Sequence, residues 1–198
     1  MDISSLSNGF DDLIMGIHSM REAILNPKRE KLKVIGTKNG IRDLTKGMSK
    51  AFVDRVYDNS ETFSLHSVQE VAKKLCTSMG FNFNRVPGQA FLLTVSHSPY
   101  SVGQALREIE KRSNAKIICL DSVTDTHNAA AILRTASFYG VNFVVTSAKG
   151  SFGKGPTFSR VASGALEHIK IVRASSLPKF IRTLCDKGVS CIGLTEHA

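Results

Sequence analysis

The chain has 198 residues, and its 26 lysines and arginines against 17 aspartates and glutamates give a formal net charge of +9. This balance suits a polyanionic partner, and a hydrophobic content of 42% is enough to fill a core, which excludes an intrinsically disordered protein. No apolar run approaches the roughly 20 residues that a membrane span needs, and the polar amino terminus lacks the features of a secretory signal. We therefore expect a cytoplasmic protein of one large domain or two small ones.

The first half of the chain alternates helical and strand-like patterns. We expect a disordered lead over residues 1–12, then a helix capped by Ser19, a strand over residues 31–36, a helix over residues 68–79 and a strand over residues 91–95. Such alternation is typical of a small α/β domain. We place this domain at residues 13–100.

The second half has the pattern of a parallel sheet. After a linking helix within residues 101–114, apolar strands are predicted at residues 116–120, 141–145, 169–172 and 190–194, with helices at residues 129–139 and 177–185. Strand, helix and strand in succession is the pattern of parallel strands with right-handed crossovers. The sequence therefore predicts a second α/β domain over residues 115–198.

The cysteines and histidines indicate neither disulfides nor a metal site. Cys76, Cys119, Cys185 and Cys191 show no CxxC pairing, so we expect reduced, buried thiols. The six histidines are scattered without metal-ligand spacing. The sequence predicts no metal cofactor.

Two basic segments are candidates for contact with phosphates. Between residues 28 and 50 there are eight cations and two anions, and a solvated face and a phosphate-contacting surface explain this excess equally well. The cations that we select for phosphate contact are Lys28, Arg29, Lys31 and Lys33. The second segment, residues 149–157, fails the Walker pattern, and we expect a flexible loop whose Lys149 and Lys154 touch phosphates.

A polar stretch after the strand at residues 116–120 carries the chemistry. It leads into a helix, so its side chains gather at the carboxyl edge of a parallel sheet, where open α/β sheets bind ligands. Asp125 or Asn128 can cap this helix. Arg134 is a lone cation on a helix of alanine, isoleucine and leucine; it serves a site, or it extends to solvent.

Residues 120–141, LDSVTDTHNAAAILRTASFYGV, resemble the first conserved motif of the SpoU (TrmH-type) RNA 2′-O-ribose methyltransferases of the SPOUT superfamily. Residues 159–168 resemble the downstream A-S-x-G-A-L-E segment of that family. Residues 16–23 and 86–92 resemble the opening and the close of its small substrate-binding domain. The resemblance runs in the right order over most of the chain.

The resemblance implies an RNA-binding domain with the fold of ribosomal protein L30e, followed by a SPOUT domain. It implies methyl transfer from S-adenosylmethionine to a ribose 2′-hydroxyl of rRNA or tRNA, in a homodimer with its active site between protomers. The motif's asparagine and arginine correspond to Asn128 and Arg134. Since a guanidinium does not deprotonate in proteins, we expect Arg134 to orient the ribose or phosphate and to stabilise alkoxide charge.

Two further residues of these motifs have two interpretations each. His127 contacts RNA or stabilises the turn, and Glu167 belongs to the site or has a packing or capping role. Thr126 and Ala130 depart from the proline and glycine that the family usually has.

In the family, knot-forming segments that build most of the cofactor pocket follow the point where this sequence ends. We therefore expect the SPOUT domain to be incomplete and the cofactor-binding residues to lie beyond Ala198; the alternative function is a non-catalytic RNA-binding fragment.

Overall fold

The computed structural model describes residues 6, 8–98, 100–148, 152 and 155–194, and the strands in that part form two separate sheets. The first sheet lies in the amino-terminal half, residues 8–98. Its strands are β1 (Asp12–Met15), β2 (Leu32–Gly36), β3 (Ser60–Thr62) and β4 (Ala90–Thr94). They lie in the order β1-β4-β2-β3, with β4 antiparallel to both neighbours and β3 parallel to β2.

Helices cover both faces of this first sheet. They are α1 (Ile17–Leu25), α2 (Lys38–Thr45), α3 (Lys50–Asp58) and α4 (Leu65–Ser78). Successive strand residues point to opposite faces, so Leu13 packs with α4 whereas Ile14 packs with the other three helices. Serine or threonine side chains cap α2, α3 and α4. The amino-terminal half is thus a mixed α/β structure with a core on each side of its sheet.

Several details of the amino-terminal half differ from the sequence predictions. Leu6 is 3% exposed within the core and β1 begins at Asp12, so the predicted lead over residues 1–12 is wrong at these positions. Ser19 does not cap α1; the helix follows Gly16, whose φ is +95°, and Ser19 is buried in its first turn. Helices α2 and α3 were not predicted, although their buried apolar residues, Ile41 with Leu44 and Phe52 with Val56, have helical spacing.

The second sheet is parallel, as predicted, and lies in the carboxyl-terminal half, residues 100–194. Its strands are β5 (Ile117–Leu120), β6 (Phe143–Ser147) and β7 (Lys170–Ala174), in that order. The helices are α5 (Val102–Glu110), α6 (Thr126–Phe138), α7 (Pro156–Ala162) and α8 (Leu177–Asp186). Helices α6 and α7 pack on one face of the sheet, and α5 and α8 pack on the other.

Two predictions for the carboxyl-terminal half are wrong. Helix α5 is not a linker, because Ala105 and Ile109 are buried against Phe143 in the core of the parallel sheet. Residues 190–194 form no strand, and Ile192 is 88% exposed. This run has strand composition, but a strand also needs a neighbour to pair its N–H and C=O groups. Whether a segment has such a neighbour depends on the tertiary structure.

Helix α7 joins the two halves. The Ser19 hydroxyl donates a 2.6 Å hydrogen bond to the carbonyl of Ser159, and the amide of Met15 donates to the Ser159 hydroxyl. After α7 the chain passes close to α1 at Gly164, whose φ is +87° and where a Cβ atom would lie 2.4 Å from Glu22 Cγ. Glycine is required at this position because both the backbone conformation and the space exclude a side chain.

Candidate functional site

The polar motif lies at the carboxyl edge of the parallel sheet. Strand β5 ends at Leu120, and exposed Asp121 and Ser122 follow, with Ser122 in the left-handed region at φ +54°. Asp125 is the residue that caps α6: its side chain accepts a 2.7 Å hydrogen bond from the amide of Asn128. The first turn of α6, with His127 and Asn128 exposed, therefore faces solvent at this edge.

Asn128 and Arg134 do not converge within one chain. Both are exposed on α6, but six residues separate them, which is about 9 Å along the helix axis and roughly a third of a turn around it. Arg134 forms no hydrogen bond or ion pair with the residues that the structure describes. The structure therefore leaves both predicted catalytic side chains available, on different faces of the same helix.

Arg134 lines a groove of about 580 Å³ between α6 and the turn that follows α7. Glu22 and His168 also line it, and their side chains lie 2.8 Å apart. At the end of α6, Phe138 and Tyr139 are 84% and 64% exposed. The guanidinium thus lies between an interface of the two halves and an uncovered aromatic surface.

The basic stretch is largely a solvent-exposed surface. Its exposed cations, which form no ion pair within the described part of the chain, are Lys28, Lys31, Lys38, Arg42, Lys46 and Lys50. Lys33 is partly buried and lies 2.6 Å from Glu61 Oε1. The positive charge of this stretch is therefore free for an anionic partner at most of its positions.

Arg29 is the exception, and its prediction as a phosphate contact is wrong in this structure. Its side chain is 2% exposed and is held in the interior. Its Nη2 lies 2.7 Å from Glu167 Oε1, and its Nη1 donates to the carbonyl of Val95 at 2.6 Å and to Asp12 Oδ2 at 3.3 Å. A guanidinium that is 2% exposed and paired in this way is not accessible to an RNA phosphate.

Glu167 receives hydrogen bonds from three side chains of the amino-terminal half. Besides Arg29, Asn26 Nδ2 lies 2.7 Å and His97 Nε2 2.8 Å from its Oε2. The Glu167 side chain is 4% exposed. Its role is therefore neither general packing nor helix capping but that of the central anion in a buried polar cluster, which we call the interface cluster: Asp12, Asn26, Arg29, His97 and Glu167.

The electrostatics of the interface cluster keep its charges in place. Burial by itself raises the pKa of Glu167, but hydrogen bonds from His97, Arg29 and Asn26 and the charge of Arg29 outweigh it and lower this pKa to about 2. Burial lowers the pKa of Arg29, but Glu167 and Asp12 more than compensate, so this pKa is raised above its ordinary value. The pair is thus ionised throughout the neutral range.

Sequence reasoning did not identify Asn26, His97 and Asp12 as members of a site. Asn26 is interpretable from the sequence only as a helix stop, and His97 belongs to no motif. Glu167 is 138 residues from Arg29 and 70 from His97, so no local pattern connects them. Only the acidic or basic character of the single residues could have suggested pairing.

The remaining sequence predictions have mixed outcomes. Lys149 and Lys154 lie outside the described residues. Cys76 is buried and Cys119 partly buried, but Cys185 and Cys191 are exposed, so the prediction of buried thiols is wrong for these two. No three histidine, cysteine or acidic side chains of the described part could together hold a metal ion. No helix in the same part is long and apolar enough to cross a membrane.

Comparisons with known proteins agree with the resemblance drawn from the motifs. Residues 115–198 match the model of the SpoU rRNA Methylase family. A Staphylococcus aureus protein assigned to the TrmH family of tRNA/rRNA methyltransferases is 29% identical over 182 residues, which cover 90% of this chain and 67% of the relative. These matches confirm that the chain is similar to SpoU/TrmH-type RNA methyltransferases.

Solved structures of this type share the fold. The SpoU methyltransferase AviRb from Streptomyces viridochromogenes, in complex with AdoMet, superposes with a TM-score of 0.58 at 14% identity and covers 89% of this chain. A solved RNA 2′-O ribose methyltransferase superposes with a TM-score of 0.54 at 16% identity and covers 94%. The chain spans 60% and 63% of the lengths of these two structures. The predicted α/β fold with a parallel sheet of the SpoU type is confirmed.

Proposed function

We propose that this chain, whose residues 115–198 match the SpoU rRNA Methylase family, acts in the cytoplasm as an RNA methyltransferase. The methyl group comes from S-adenosylmethionine and goes to a ribose 2′-hydroxyl of rRNA or tRNA. The observation that carries the proposal is the placement of the motif: its polar residues lie at the carboxyl edge of a parallel sheet, the edge at which α/β sheets bind nucleotide-like ligands.

When bound, S-adenosylmethionine would supply an electrophilic methyl group. The described part of that edge has suitable partners for a nucleoside, since the carboxylate of Asp121 and the hydroxyls of Ser122 and Ser175 are exposed there and can pair with hydroxyl and amino groups. Asn128, in the first turn of α6, can hold the substrate ribose through its amide. These side chains would hold part of the nucleoside of the cofactor.

In this proposal Arg134 would stabilise negative charge on the 2′-oxygen as this oxygen attacks the methyl group, and the hydroxyl proton would pass to water. A guanidinium stays protonated and presents several donors in a fixed plane, so it orients a ribose or phosphate oxygen and does not accept the proton. Its exposure and lack of a partner among the described residues support this role. A side chain that only extended to solvent would also be exposed, so activity has to decide between the two.

We further propose that the enzyme is a homodimer. Asn128 and Arg134 lie on different faces of α6, so a site that uses both is most readily completed by a second copy of the chain. The exposed aromatic pair Phe138 and Tyr139 supports the same arrangement, because exposed apolar surface beside a site is typical of an interface. Their rings pack edge to face with centroids 5.3 Å apart, and both side chains are exposed.

The amino-terminal half contributes RNA affinity in this proposal. Its exposed cations, Lys28 and Lys31 among them, offer a charged surface for the phosphate backbone. We propose that this half is the RNA-binding domain and that the carboxyl-terminal half, which includes α5, is the catalytic domain.

The proposal is tested by incubating the full chain with rRNA or tRNA and deuterated S-adenosylmethionine, followed by mass spectrometry of the nucleosides. A deuterated 2′-O-methyl nucleoside is the expected product, and label found only on bases would refute the proposed acceptor. Arg134→Ala should lower the rate by roughly 10²–10³ with unchanged cofactor affinity, which is the effect of losing one charge-stabilising donor. Arg182→Ala, which removes an exposed arginine of α8, is the matched control and should retain the rate.

A further inference from the structure

The interface cluster joins the two halves of the protein through one carboxylate. Glu167 lies in the short 3₁₀ turn at Ala165–Glu167 of the carboxyl-terminal half. Its hydrogen-bond donors, Asn26, Arg29 and His97, all belong to the amino-terminal half. Arg29 is in turn anchored in its own half by Asp12 and by the carbonyl of Val95. The amino-terminal half thus presents a preformed receptor for an anion, and Glu167 occupies it.

Separation of the two halves would leave this receptor unsatisfied. A buried guanidinium or carboxylate without its partner is strongly destabilising, so the docked arrangement is the one in which Arg29 and Glu167 are both paired. The arrangement is also specific in geometry, because Glu167 accepts hydrogen bonds from three side chains and Arg29 binds it through two nitrogens. A small rotation of one half against the other would break several of these bonds together.

Close contacts around the cluster also restrict rotation of one half against the other. The Ser19–Ser159 hydrogen bond lies on one side, and the glycine at position 164 lies against Glu22 on another. A cavity of about 260 Å³ lies beside the cluster between the halves and is lined by Asn26, Arg29, His97, Glu167 and Lys170 among others. The cluster thus contains the most buried ion pair of this interface, Arg29–Glu167, whereas the other pair across it, Glu22–His168, is more exposed.

We propose that Glu167 is a positioning residue that fixes the amino-terminal half on the carboxyl-terminal half in one orientation. This orientation sets where an RNA held by the amino-terminal half meets the methyl-transfer centre. The second statement rests on the proposed function, whereas the first does not. In this arrangement the distance between the cationic surface and the carboxyl edge of the parallel sheet selects which ribose of a bound RNA is reached.

The first experiment measures the coupling of the two halves by differential scanning calorimetry of the full chain. Wild-type protein should unfold in one transition, because the docked halves stabilise each other. Glu167→Gln should separate this transition into two. The matched control is Glu108→Gln, which removes a carboxylate that bonds Lys170 and Arg112 within the carboxyl-terminal half only, and it should keep one transition.

A second variant addresses the case in which Glu167→Gln fails to fold because Arg29 is left unpaired. Asn26→Asp places a carboxylate oxygen at the position of Asn26 Nδ2, 2.7 Å from Glu167 Oε2, so like charges oppose docking. Once the halves separate, the new carboxylate is free to pair with Arg29. This variant should also unfold in two transitions, and a single transition in both variants would overturn the proposal.

The second experiment measures positioning through kinetics and binding. Because misplacement of a bound substrate costs up to about 10²-fold in rate, Asn26→Asp and Glu167→Gln should lower kcat for RNA by roughly that factor while RNA affinity and S-adenosylmethionine affinity stay unchanged. Two calorimetric transitions with a wild-type kcat would overturn the positioning role. If wild-type protein methylates no RNA, the proposed function fails, and calorimetry still decides whether Glu167 docks the halves.

Discussion

Lowering the pH should reduce the free energy of unfolding because Glu167 becomes protonated. The substitution Glu167→Gln should remove this part of the pH dependence. The pKa of this carboxyl is lowered from 4.5 to about 2 by its hydrogen bonds and by Arg29. A carboxyl with a depressed folded-state pKa contributes stability above its unfolded pKa and loses it as the pH falls towards the folded value. The full contribution is about 3 kcal/mol at pH 7. About 2 kcal/mol of it should be lost by pH 3.

The assay is urea unfolding of wild-type protein and of Glu167→Gln, followed by circular dichroism at pH 7 and pH 3 and extrapolated to zero urea. Because Glu167→Gln is expected to unfold in two transitions, the free energies of its two transitions are fitted separately and added. Other carboxyls titrate in both proteins, so the difference between the two free energies of unfolding isolates Glu167. This difference should be smaller at pH 3 than at pH 7 by about 2 kcal/mol. An equal difference at both pH values would refute the argument, because Glu167 would then have an ordinary pKa and no buried partners.

Three further predictions concern the surface charge, the turn after α7 and the thiols. Lys28→Ala with Lys31→Ala should reduce the steepness with which log affinity for RNA falls with log salt concentration, by about 0.7–0.9 for each phosphate that the variant no longer neutralises. An unchanged slope in a fluorescence anisotropy titration would show that this surface is only solvated. Gly164→Ala should lower the melting temperature more than Gly188→Ala. Both glycines have positive φ, but only a Cβ atom at position 164 would come into contact with a side chain, that of Glu22. Equal shifts in melting temperature would contradict the close approach of Glu22. Burial raises the pKa of the Cys76 thiol to about 11, so a thiol reagent at neutral pH should label the exposed cysteines and reach Cys76 only after denaturation; rapid labelling of Cys76 in the native protein would contradict its burial.

The sequence determined the features that depend on short stretches of chain. Continuous apolar runs predicted β5 and β6, and the short run at residues 169–172 predicted β7. Asp125 was one of two candidates for the cap of α6, and it is the observed one, since a capping residue acts within three positions of itself. The motif at the start of α6 was placed correctly at the carboxyl edge of the sheet for the same reason.

Only the tertiary structure decided which groups each charged residue and each apolar run contacts. Arg29 has the composition of a surface cation and lies in a basic stretch, but Glu167, 138 residues away, draws it into the interior. Helix α5 has the charge of a linker, but its buried face completes the core of the parallel sheet. Residues 190–194 have the composition of a strand, but none of the described strands pairs with them. The physical reason is the same in all three cases. Periodicity and capping act over a few residues of the chain. The partner of a buried charge, the cover of a sheet and the neighbour of a strand are groups that only the folded chain brings together.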